Sequence, residues 1–471
     1  MNKSVEQAVH CTLYYGLQRL RRRPISEFIK RLQDLERLDK RTFDRRMHER
    51  LVDMLRYAHA TTPLYAAGPW RERLWSQDPG RIDAWPVLER RTVRADMTQL
   101  RARRPIRGAF VRNSSASSGE PLRVVWSPGG AGWGWASEYR AMLWHGVPPG
   151  ARTLLMWGQG HWFQDWVKNC KFFRTSELTP QRLEEAAHWL LTRRPDLCQG
   201  LPSALARLAR HVRTHHPDAP KPLVPYAKVG GEQVYAFQRE EIERHLGARV
   251  VEMYGCTEVG PIAAECPAGS LHVHAENVYL EVFHGDQPAA PGECGDIVVT
   301  TLSNHAMPLI RCRIGDTGSI RPEPCACGRP QPVLDNLIGR AADVFVTADG
   351  AEVHGSVLGR NFSTVLADTP LGAIQQSLFQ QIDARRWKVL VESSDGFDHT
   401  LAAKLTRFVR ANFGEECEVE IERVAVVPRE PSGKFRYYRP SRLACTAESS
   451  PSPARPAEVR ELSNPDVRAS E

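Results

Sequence analysis

Between residues 110 and 270, short apolar segments alternate with segments whose apolar residues recur every three or four positions. Ala151–Gly158 and Val250–Tyr254 have the length and apolar character of buried strands, whereas Gln181–Leu191 and Ser203–Val212 have the period of amphipathic helices. Alternation of this kind favours an α/β fold built in layers. We therefore predict a large multi-layer α/β domain as the main body of the chain.

Downstream, the sequence changes character twice. Residues 271–350 contain short β-rich stretches that Gly and Pro turns separate, such as Val278–Phe283 and Asp296–Thr300. Beyond residue 340, one helix pattern and two strand patterns predict a smaller α+β domain, at Leu401–Phe413, Trp387–Val391 and Val419–Val427. The predicted divisions are 1–60 (N-terminal basic helices), 61–340 (the α/β domain with its β-rich subdomain), 341–443 (the C-terminal domain) and 444–471 (a disordered tail rich in Ser, Pro, Ala and Glu).

Composition narrows the class of protein. Hydrophobic residues make up 42% of 471, which is enough for sizeable cores and excludes disorder throughout. No run of about 18 apolar residues occurs, so we expect no membrane span. The first 16 residues lack the basic start and apolar core of an export signal, and an odd count of 11 cysteines argues against a disulfide framework. These features predict a cytoplasmic protein whose cysteines are thiols or metal ligands.

The net charge of +8 is concentrated near the N-terminus, where residues 1–60 contain 14 Lys and Arg against 8 Asp and Glu. Arg21–Arg23 form one basic cluster, and Arg45, Arg46 and Arg50 form another. A solvated helix face is one interpretation, and a landing surface for an anionic partner is the other. No stacking-aromatic pattern accompanies the charge, so we expect no nucleic-acid partner.

Four motifs carry residues suited to bind phosphate, metal or sugar. The loop Asn113–Pro121 (NSSASSGEP) offers hydroxyl and backbone N–H donors for phosphate oxygens, although serine-rich loops are common. Glu258, in YGCTE after a predicted strand, could hold Mg²⁺, and Asp316, at the end of PLIRCRIGD, could accept hydrogen bonds from a ribose diol. Lys434, in PSGKFR, matters only if the C-terminal domain can bring its ammonium to a developing negative charge.

With these motifs in this order, the chain resembles the adenylate-forming (acyl-CoA synthetase) superfamily and, within it, the phenylacetate–CoA ligase-like family. The stretches that carry the resemblance are NSSASSGEP, VGGEQV, MYGCTEVGPIAAEC, GDIVVTTLSNHAMPLIRCRIGD, CACGRPQP, LIGRAADVFV and EPSGKF, over roughly residues 45–440. The resemblance implies that a carboxylic acid reacts with ATP to give an acyl-adenylate, which is then transferred to CoA with release of AMP. It also implies that the C-terminal domain is a mobile lid.

The resemblance also implies roles for individual residues, carried over by position. Ser117, Ser118 and Gly119 would bind pyrophosphate, and Gly231, Glu232, Tyr254 and Gly255 would border adenine. Thr257 would contact the α-phosphate, Glu258 would hold Mg²⁺, and Asp316 would bind ribose with Arg340 nearby. Lys434 would stabilise charge during adenylation and then move away, and Asp343 would lie near the hinge.

Two positions depart from the family pattern, whose phosphate loop usually reads like SSGTTGKP. Ala116 stands at a Gly position and Glu120 at the Lys position. Ala limits positive φ angles, and an anion replaces a cation near the expected pyrophosphate. Arg123 is a nearby basic residue that would compensate. A homologue that binds nucleotide without turnover is therefore one alternative.

Cys266, His272, Cys325 and Cys327 are a ligand set suited to structural Zn²⁺, which thiolate and imidazole bind tetrahedrally. His274 is the competing imidazole, and unrelated buried thiols are the alternative interpretation. Some phenylacetate–CoA ligase-like proteins have a similar Cys/His arrangement. This resemblance favours a structural zinc site over unrelated thiols.

The acid and the acceptor are the least specified features. Aromatic residues concentrated in Trp126–Trp144 and Trp157–Trp166 either pack in the core or line a pocket for an aromatic acid. Transfer to a carrier-protein thiol or to an amine is the alternative to CoA, and the basic N-terminal helices could dock an acidic carrier. Related ligases are often dimers, so a homodimer is one expected state.

Overall fold

The computed structural model describes residues 3–67, 78, 80–95, 97–113, 122–338, 344–347, 349–354, 373–393, 397–430 and 433–439. Its helices are α1 (Lys3–Leu20), α2 (Ile25–Glu36), α3 (Lys40–Thr61), α4 (Arg90–Ala95), α5 (Met97–Leu100), α6 (Pro128–Leu143), α7 (Trp162–Val167), α8 (Pro180–Arg193), α9 (Pro202–His215), α10 (Ala236–Leu246) and α11 (His399–Phe413). None of the helices in these ranges has both the length and the apolar character needed to cross a membrane.

The residues in these ranges also form 20 strands. They are β1 (Phe110–Asn113), β2 (Arg123–Trp126), β3 (Thr153–Trp157), β4 (Cys170–Arg174), β5 (Leu197–Gly200), β6 (Tyr226–Gly230), β7 (Arg249–Cys256), β8 (Gly260–Glu265), β9 (Leu271–Val273), β10 (Val278–His284), β11 (Gln287–Pro288), β12 (Gly295–Thr301), β13 (Cys312–Arg321), β14 (Val333–Ile338), β15 (Val344–Val346), β16 (Glu352–His354), β17 (Ile374–Gln381), β18 (Arg386–Ser393), β19 (Glu418–Val424) and β20 (Tyr438–Arg439).

One twelve-stranded sheet forms the large body, in the order β11-β10-β12-β13-β14-β9-β8-β7-β6-β5-β3-β4. The strands β7, β6, β5, β3 and β4 are parallel, and from β8 onward the neighbours are antiparallel. The α/β class and the β-rich region are thus confirmed. The β-rich region does not form a separate sheet, because the turn from β7 to β8 continues the parallel strands into the antiparallel ones.

The predicted helices and strands in this body are present, because their apolar periodicity matches their burial. Gln181–Leu191 lies within α8, whose inner residues Leu183, Ala186 and Leu190 are buried with α9 and the parallel strands. Some boundaries differ from prediction: strand β19, for example, ends at Val424, three residues before the predicted end. Asp316, predicted at the end of an apolar segment, lies inside β13.

The C-terminal strands form a second sheet in the order β19-β18-β17-β20, covered by α11. Aromatic packing holds it together: the ring centroids of Trp387 and Phe413 are 4.1 Å apart, and those of Phe345 and Trp387 are 5.4 Å apart. This unit contacts α9 through a buried ion pair between Arg207 and Glu392. The predicted small α+β unit is therefore present and rests against the large body.

The N-terminal helices pack on the large body rather than standing apart from it. Phe28 of α2 lies 5.0 Å, ring to ring, from Trp133 of α6. The guanidinium of Arg23 lies 4.6 Å from the Phe110 ring, and that of Arg50 lies 4.7 Å from the Trp133 ring. These two members of the predicted basic clusters are therefore engaged within the protein and do not belong to a solvated face.

The start of α11 depends on one side chain. Asp398 is its N-cap, and its carboxylate accepts a hydrogen bond from the Leu401 backbone N–H at 2.9 Å. We expect Asp398→Ala to lower the free energy of unfolding by about 1 kcal/mol, because that N–H loses its partner. Urea unfolding measures this change, with Asp398→Asn as the control that retains an acceptor. Equal losses in the two variants would contradict the capping role.

Candidate functional site

The candidate site lies at the carboxyl edge of the parallel strands, the edge at which open α/β sheets bind ligands. Strands β3, β6 and β7 end there at Trp157, Gly230 and Cys256. Gly231, which follows β6, has φ +84°, and a Cβ at this position would lie 3.0 Å from the Trp157 ring. Only glycine therefore fits between these two strand ends without strain.

Tyr254 and Asp316 are joined at this edge. The Tyr254 hydroxyl donates a hydrogen bond to Asp316 Oδ2 at 2.7 Å, linking β7 to β13. Gly255 pairs with Pro261 in β8, and a Cβ on Gly255 would lie 2.6 Å from the Gly260 carbonyl oxygen. The absence of a side chain at Gly255 thus permits the close turn that places Tyr254 beside Asp316.

Glu258 lies in the turn that follows β7, as predicted, and is buried. Its Oε1 is 2.6 Å from Nη2 of Arg90, at the start of α4. The neighbouring residue Thr257 accepts a hydrogen bond at its backbone oxygen from the Trp126 indole, at 3.3 Å. Sequence reasoning missed Arg90, which pairs with a carboxylate 168 positions away.

Glu232 connects the large body to the loop that carries Lys434. Its carboxylate accepts hydrogen bonds from the N–H and hydroxyl of Ser203, both at 3.1 Å, and from the Phe435 N–H at 2.6 Å. Burial raises the pKa of Glu232 above its ordinary value, and the nearby Arg429 partly offsets that rise. Glu232, one of the residues predicted to border adenine, is therefore also bound to the C-terminal loop.

The Lys434 loop is seated on the carboxyl edge. The Thr175 hydroxyl donates to the Gly433 carbonyl oxygen at 3.2 Å, next to the end of β4. Gly433 has φ +81°, and a Cβ there would lie 2.9 Å from Gly158 Cα, next to the end of β3. Lys434 itself is half-buried, and its carbonyl oxygen accepts from the Glu430 N–H at 3.0 Å. The structure thus brings the C-terminal lysine to the same edge as Glu232.

The remaining predicted nucleotide residues lie outside the described residues. These are Ser117, Ser118, Gly119 and Arg340, together with Ala116, Glu120 and Asp343. Their roles stay predictions.

Cys266, His272, Cys325 and Cys327 are brought together by the pairing of β9 with β14. Their donor atoms lie within 4.8 Å of one another, with Cys266 Sγ 3.8 Å from Cys325 Sγ and Cys327 Sγ 3.1 Å from His272 Nε2. Zn–S bonds of about 2.3 Å in a tetrahedron place two sulfurs about 3.8 Å apart. The four donors therefore have the spacing of a zinc site.

The surroundings of this cluster also suit a metal. His272 Nδ1 lies 3.1 Å from the Gln331 carbonyl oxygen, which directs Nε2 toward the cysteines. Burial lowers the pKa of His272 to about 4, so its imidazole is neutral. The competing imidazole, His274, is not a member of the cluster, because its Nδ1 lies 3.1 Å from the Arg140 guanidinium.

Most of the predicted aromatic cluster packs within the protein. Trp126 is buried in the core, Trp133 packs against Phe28, and Tyr139 contacts Tyr14. Trp162 is 81% exposed. The core-packing interpretation therefore holds for Trp126, Trp133 and Tyr139, while Trp157 remains at the candidate site.

The sequence of this chain was compared with those of known proteins and protein families. No family model matches the chain. It is 27% identical to phenylacetate-coenzyme A ligase of Thermus thermophilus over 265 residues and 27% identical to that of Escherichia coli over 267 residues. These alignments cover 52% and 54% of this chain, and in each case 60% of the relative's length. The chain is therefore similar to phenylacetate-coenzyme A ligases, in agreement with the predicted resemblance.

Solved structures agree on the fold. This chain superposes on 2-hydroxyisobutyryl-CoA ligase in its postadenylation state with a TM-score of 0.68, at 18% identity, over 88% of this chain and 92% of the other. The same ligase in its thioesterification state gives a TM-score of 0.56, at 19% identity, over 88% and 94%. This chain therefore shares the fold of that ligase.

Proposed function

We propose that this protein uses ATP to activate a small carboxylic acid and transfers the acyl group to the thiol of CoA. In the first half-reaction, a carboxylate oxygen bonds to the α-phosphorus of ATP, and the bond to pyrophosphate breaks. In the second, the CoA sulfur bonds to the acyl carbon, AMP leaves, and the thiol proton passes to solvent. An aromatic acid is the proposed substrate class, because Trp157 stands beside Gly231 at the site.

The observation that carries the proposal is the docking of the Lys434 loop. The Phe435 N–H donates to Glu232 and the Thr175 hydroxyl donates to the Gly433 carbonyl oxygen, and these bonds hold the loop at the carboxyl edge. Tyr254 of β7 and Asp316 of β13 are joined at the same edge, and Glu258 lies in the turn after β7. Acyl-adenylate formation mainly needs positioning and cations. A lysine held at this edge fits that need, and the higher similarity to the postadenylation state supports the same arrangement.

The family resemblance implies individual roles, and this arrangement is compatible with them. Asp316, held by Tyr254, would bind ribose, and Thr257 would contact the α-phosphate. Glu258 would offer a carboxylate oxygen to Mg²⁺, which neutralises phosphate charge when bound, and Arg90 holds that carboxylate in place. Gly231, Glu232 and Gly255 would border adenine.

The C-terminal unit is proposed to be a mobile lid, and its contact with the large body suits that role. Besides the pair of Arg207 with Glu392, Arg210 donates to the Gln375 carbonyl oxygen and Arg429 donates to the Ser203 hydroxyl. These polar contacts are typical of interfaces between domains that move relative to each other, and the same interface also contains Phe237 packed on Tyr437 at 5.3 Å between ring centroids. Separation would carry Lys434 away from the site before CoA reacts.

The cysteine cluster is proposed to bind a structural Zn²⁺. Three thiols and one oriented imidazole match its preferred ligands and spacing, and the cluster joins the β8–β9 turn to the segment before β14. Zinc would supply folding energy here, with no part in the reaction.

The test is pyrophosphate release. The protein is incubated with ATP, Mg²⁺ and a panel of aryl and small aliphatic carboxylic acids, with and without CoA, and mass spectrometry identifies acyl-adenylates and acyl-CoA. We expect acid-dependent pyrophosphate and AMP, with acyl-CoA formed only when CoA is present. An acyl-adenylate that is not consumed by CoA would favour a carrier-protein or amine acceptor. ATP binding by calorimetry without pyrophosphate from any acid would contradict the proposal and favour the nucleotide-binding alternative.

The Tyr254–Asp316 hydrogen bond gives a specific prediction. Tyr254→Phe removes a hydrogen bond to a carboxylate, worth about 1.5–3 kcal/mol, so Asp316 is less well oriented toward ribose. We expect the KM for ATP to rise about tenfold, with a smaller change in kcat. The control is Tyr57→Phe, which removes a hydroxyl that donates to the His305 carbonyl oxygen in the N-terminal region. Equal KM values for the two variants would contradict the role of Tyr254.

A further inference from the structure

A second group of metal-binding side chains lies between α8 and α9. The donor atoms of Glu184, His211 and His216 all fall within 4.8 Å of one another. His211 Nε2 is 2.8 Å from Glu184 Oε2, and His216 Nε2 is 3.0 Å from both carboxylate oxygens. Each of the two imidazoles therefore points its Nε2 atom at the Glu184 carboxylate.

The spacing of the two histidines in the sequence hides this arrangement. Five residues along a continuous helix would turn the second side chain about 140° away from the first. Helix α9 ends at His215, however, and His216 has φ −133° and ψ 51°. The chain leaves the helix at this residue, and the His216 ring comes back to the side of His211.

The side chains around the group set it up to bind a cation. His215 stacks on His211 with ring centroids 4.2 Å apart and contacts the His211 carbonyl oxygen through Nδ1, which restricts the His211 ring. The His211 ring is thereby held with Nε2 facing the Glu184 carboxylate.

We propose that Glu184, His211 and His216 bind a divalent transition-metal ion of the zinc type. Imidazole nitrogens and a carboxylate oxygen suit zinc, copper and nickel rather than calcium or magnesium, which prefer all-oxygen sites. Three protein ligands leave a further coordination position for water. The Glu184 side chain is 47% exposed, so an ion can reach the site from solvent.

This site is separate from the proposed active site and from the cysteine cluster. His211 lies eight residues, or about 12 Å along α9, from Ser203, which binds Glu232. A metal here would join the middle of α8 to the end of α9. We therefore expect it to change stability and metal content rather than the chemistry at the carboxyl edge.

Zinc titration calorimetry on the full chain tests the proposal. We expect His216→Ala to bind one fewer zinc per chain than the wild type, or to bind it at least about tenfold more weakly, and Glu184→Gln to show the same loss while preserving the side-chain shape. The matched control is His399→Ala, which removes an exposed imidazole of α11 outside the ligand set and should retain the wild-type number of sites. Because the readout is a difference between variants, it does not depend on occupancy of the cysteine cluster.

Two further readouts complete the experiment. Zinc at saturating concentration should raise the Tm of the wild type and of His399→Ala more than that of His216→Ala, because only the first two retain all three ligands. Circular dichroism establishes that each variant is folded before titration. The proposal is overturned if His216→Ala and Glu184→Gln bind as many zinc ions as the wild type with the same affinity, or if all three variants lose binding equally.

Discussion

Replacing Lys434 with alanine is expected to slow acyl-adenylate formation by about 10²–10³-fold. The loop Gly433–Phe435 is fixed to Thr175 and Glu232, so the lysine is held at the site before the reaction begins. Removing one preorganised group that stabilises developing charge typically lowers kcat by this factor. Acid-dependent pyrophosphate release measures the first half-reaction directly.

The second half-reaction separates a catalytic role from a structural one. When purified acyl-adenylate and CoA are supplied, the Lys434→Ala variant should form acyl-CoA within a few-fold of the wild-type rate, because the proposed mechanism moves the lysine away before that stage. The matched control is Lys388→Ala. Lys388 lies in β18 of the C-terminal sheet and pairs with Glu422 at 2.6 Å. Equal adenylation rates in the two variants would show that Lys434 does not act on the first half-reaction.

Local pattern predicts much of the fold because burial imposes its period on the sequence. The predicted helix Ser203–Val212 lies within α9, and the predicted strand Asp296–Thr300 lies within β12. The pairing of distant strands is not predictable in this way. Val333 lies opposite His272 in the β9–β14 pair, and nothing local in either segment specifies that register.

In the candidate site too, features with a local sequence pattern are predictable and long-range contacts are not. Glu258 and Asp316 are recognisable because their motifs have local character, and the structure places Asp316 against Tyr254. Arg90 is not recognisable, because its role depends on α4 approaching the β7–β8 turn. The backbone contact that holds this approach, from the Leu88 N–H to the Arg311 carbonyl oxygen, joins segments far apart in the chain. The sequence around Arg90, LERRT, is rich in charged residues, and this is the local feature that could have drawn attention to it.

Glu232 shows that position in a motif and contacts in the fold carry different information. The resemblance places it beside adenine, whereas the structure gives it three hydrogen bonds, to Ser203 and to Phe435. If the C-terminal unit moves as proposed, Glu232 has to lose part of these contacts at each movement. Such coupling depends on two domains meeting, so the VGGEQV motif alone does not predict it.

Loss of zinc from the cysteine cluster is expected to have the largest effect on stability. The cluster joins the turn at Cys266 to the segment that contains Cys325 and Cys327, and its thiols are part of a small buried apolar cluster with Val333. Structural zinc sites in small peptides bind with about 10–16 kcal/mol at neutral pH. In a sheet that is already paired, only part of this free energy reaches global stability, so we expect Cys325→Ser to lower it by several kcal/mol.

Metal analysis and thermal unfolding measure this prediction together. Wild-type protein should retain about one zinc per chain in this cluster, and Cys325→Ser should lose it with a lower Tm. The matched control is Cys294→Ser, which changes an exposed cysteine in the same antiparallel half of the sheet but outside the cluster. A chelator should lower the Tm of the wild type and of Cys294→Ser but have little effect on Cys325→Ser, whose site is already empty. If Cys325→Ser instead matches Cys294→Ser in zinc content and Tm, the four side chains form a packed thiol cluster and not a metal site.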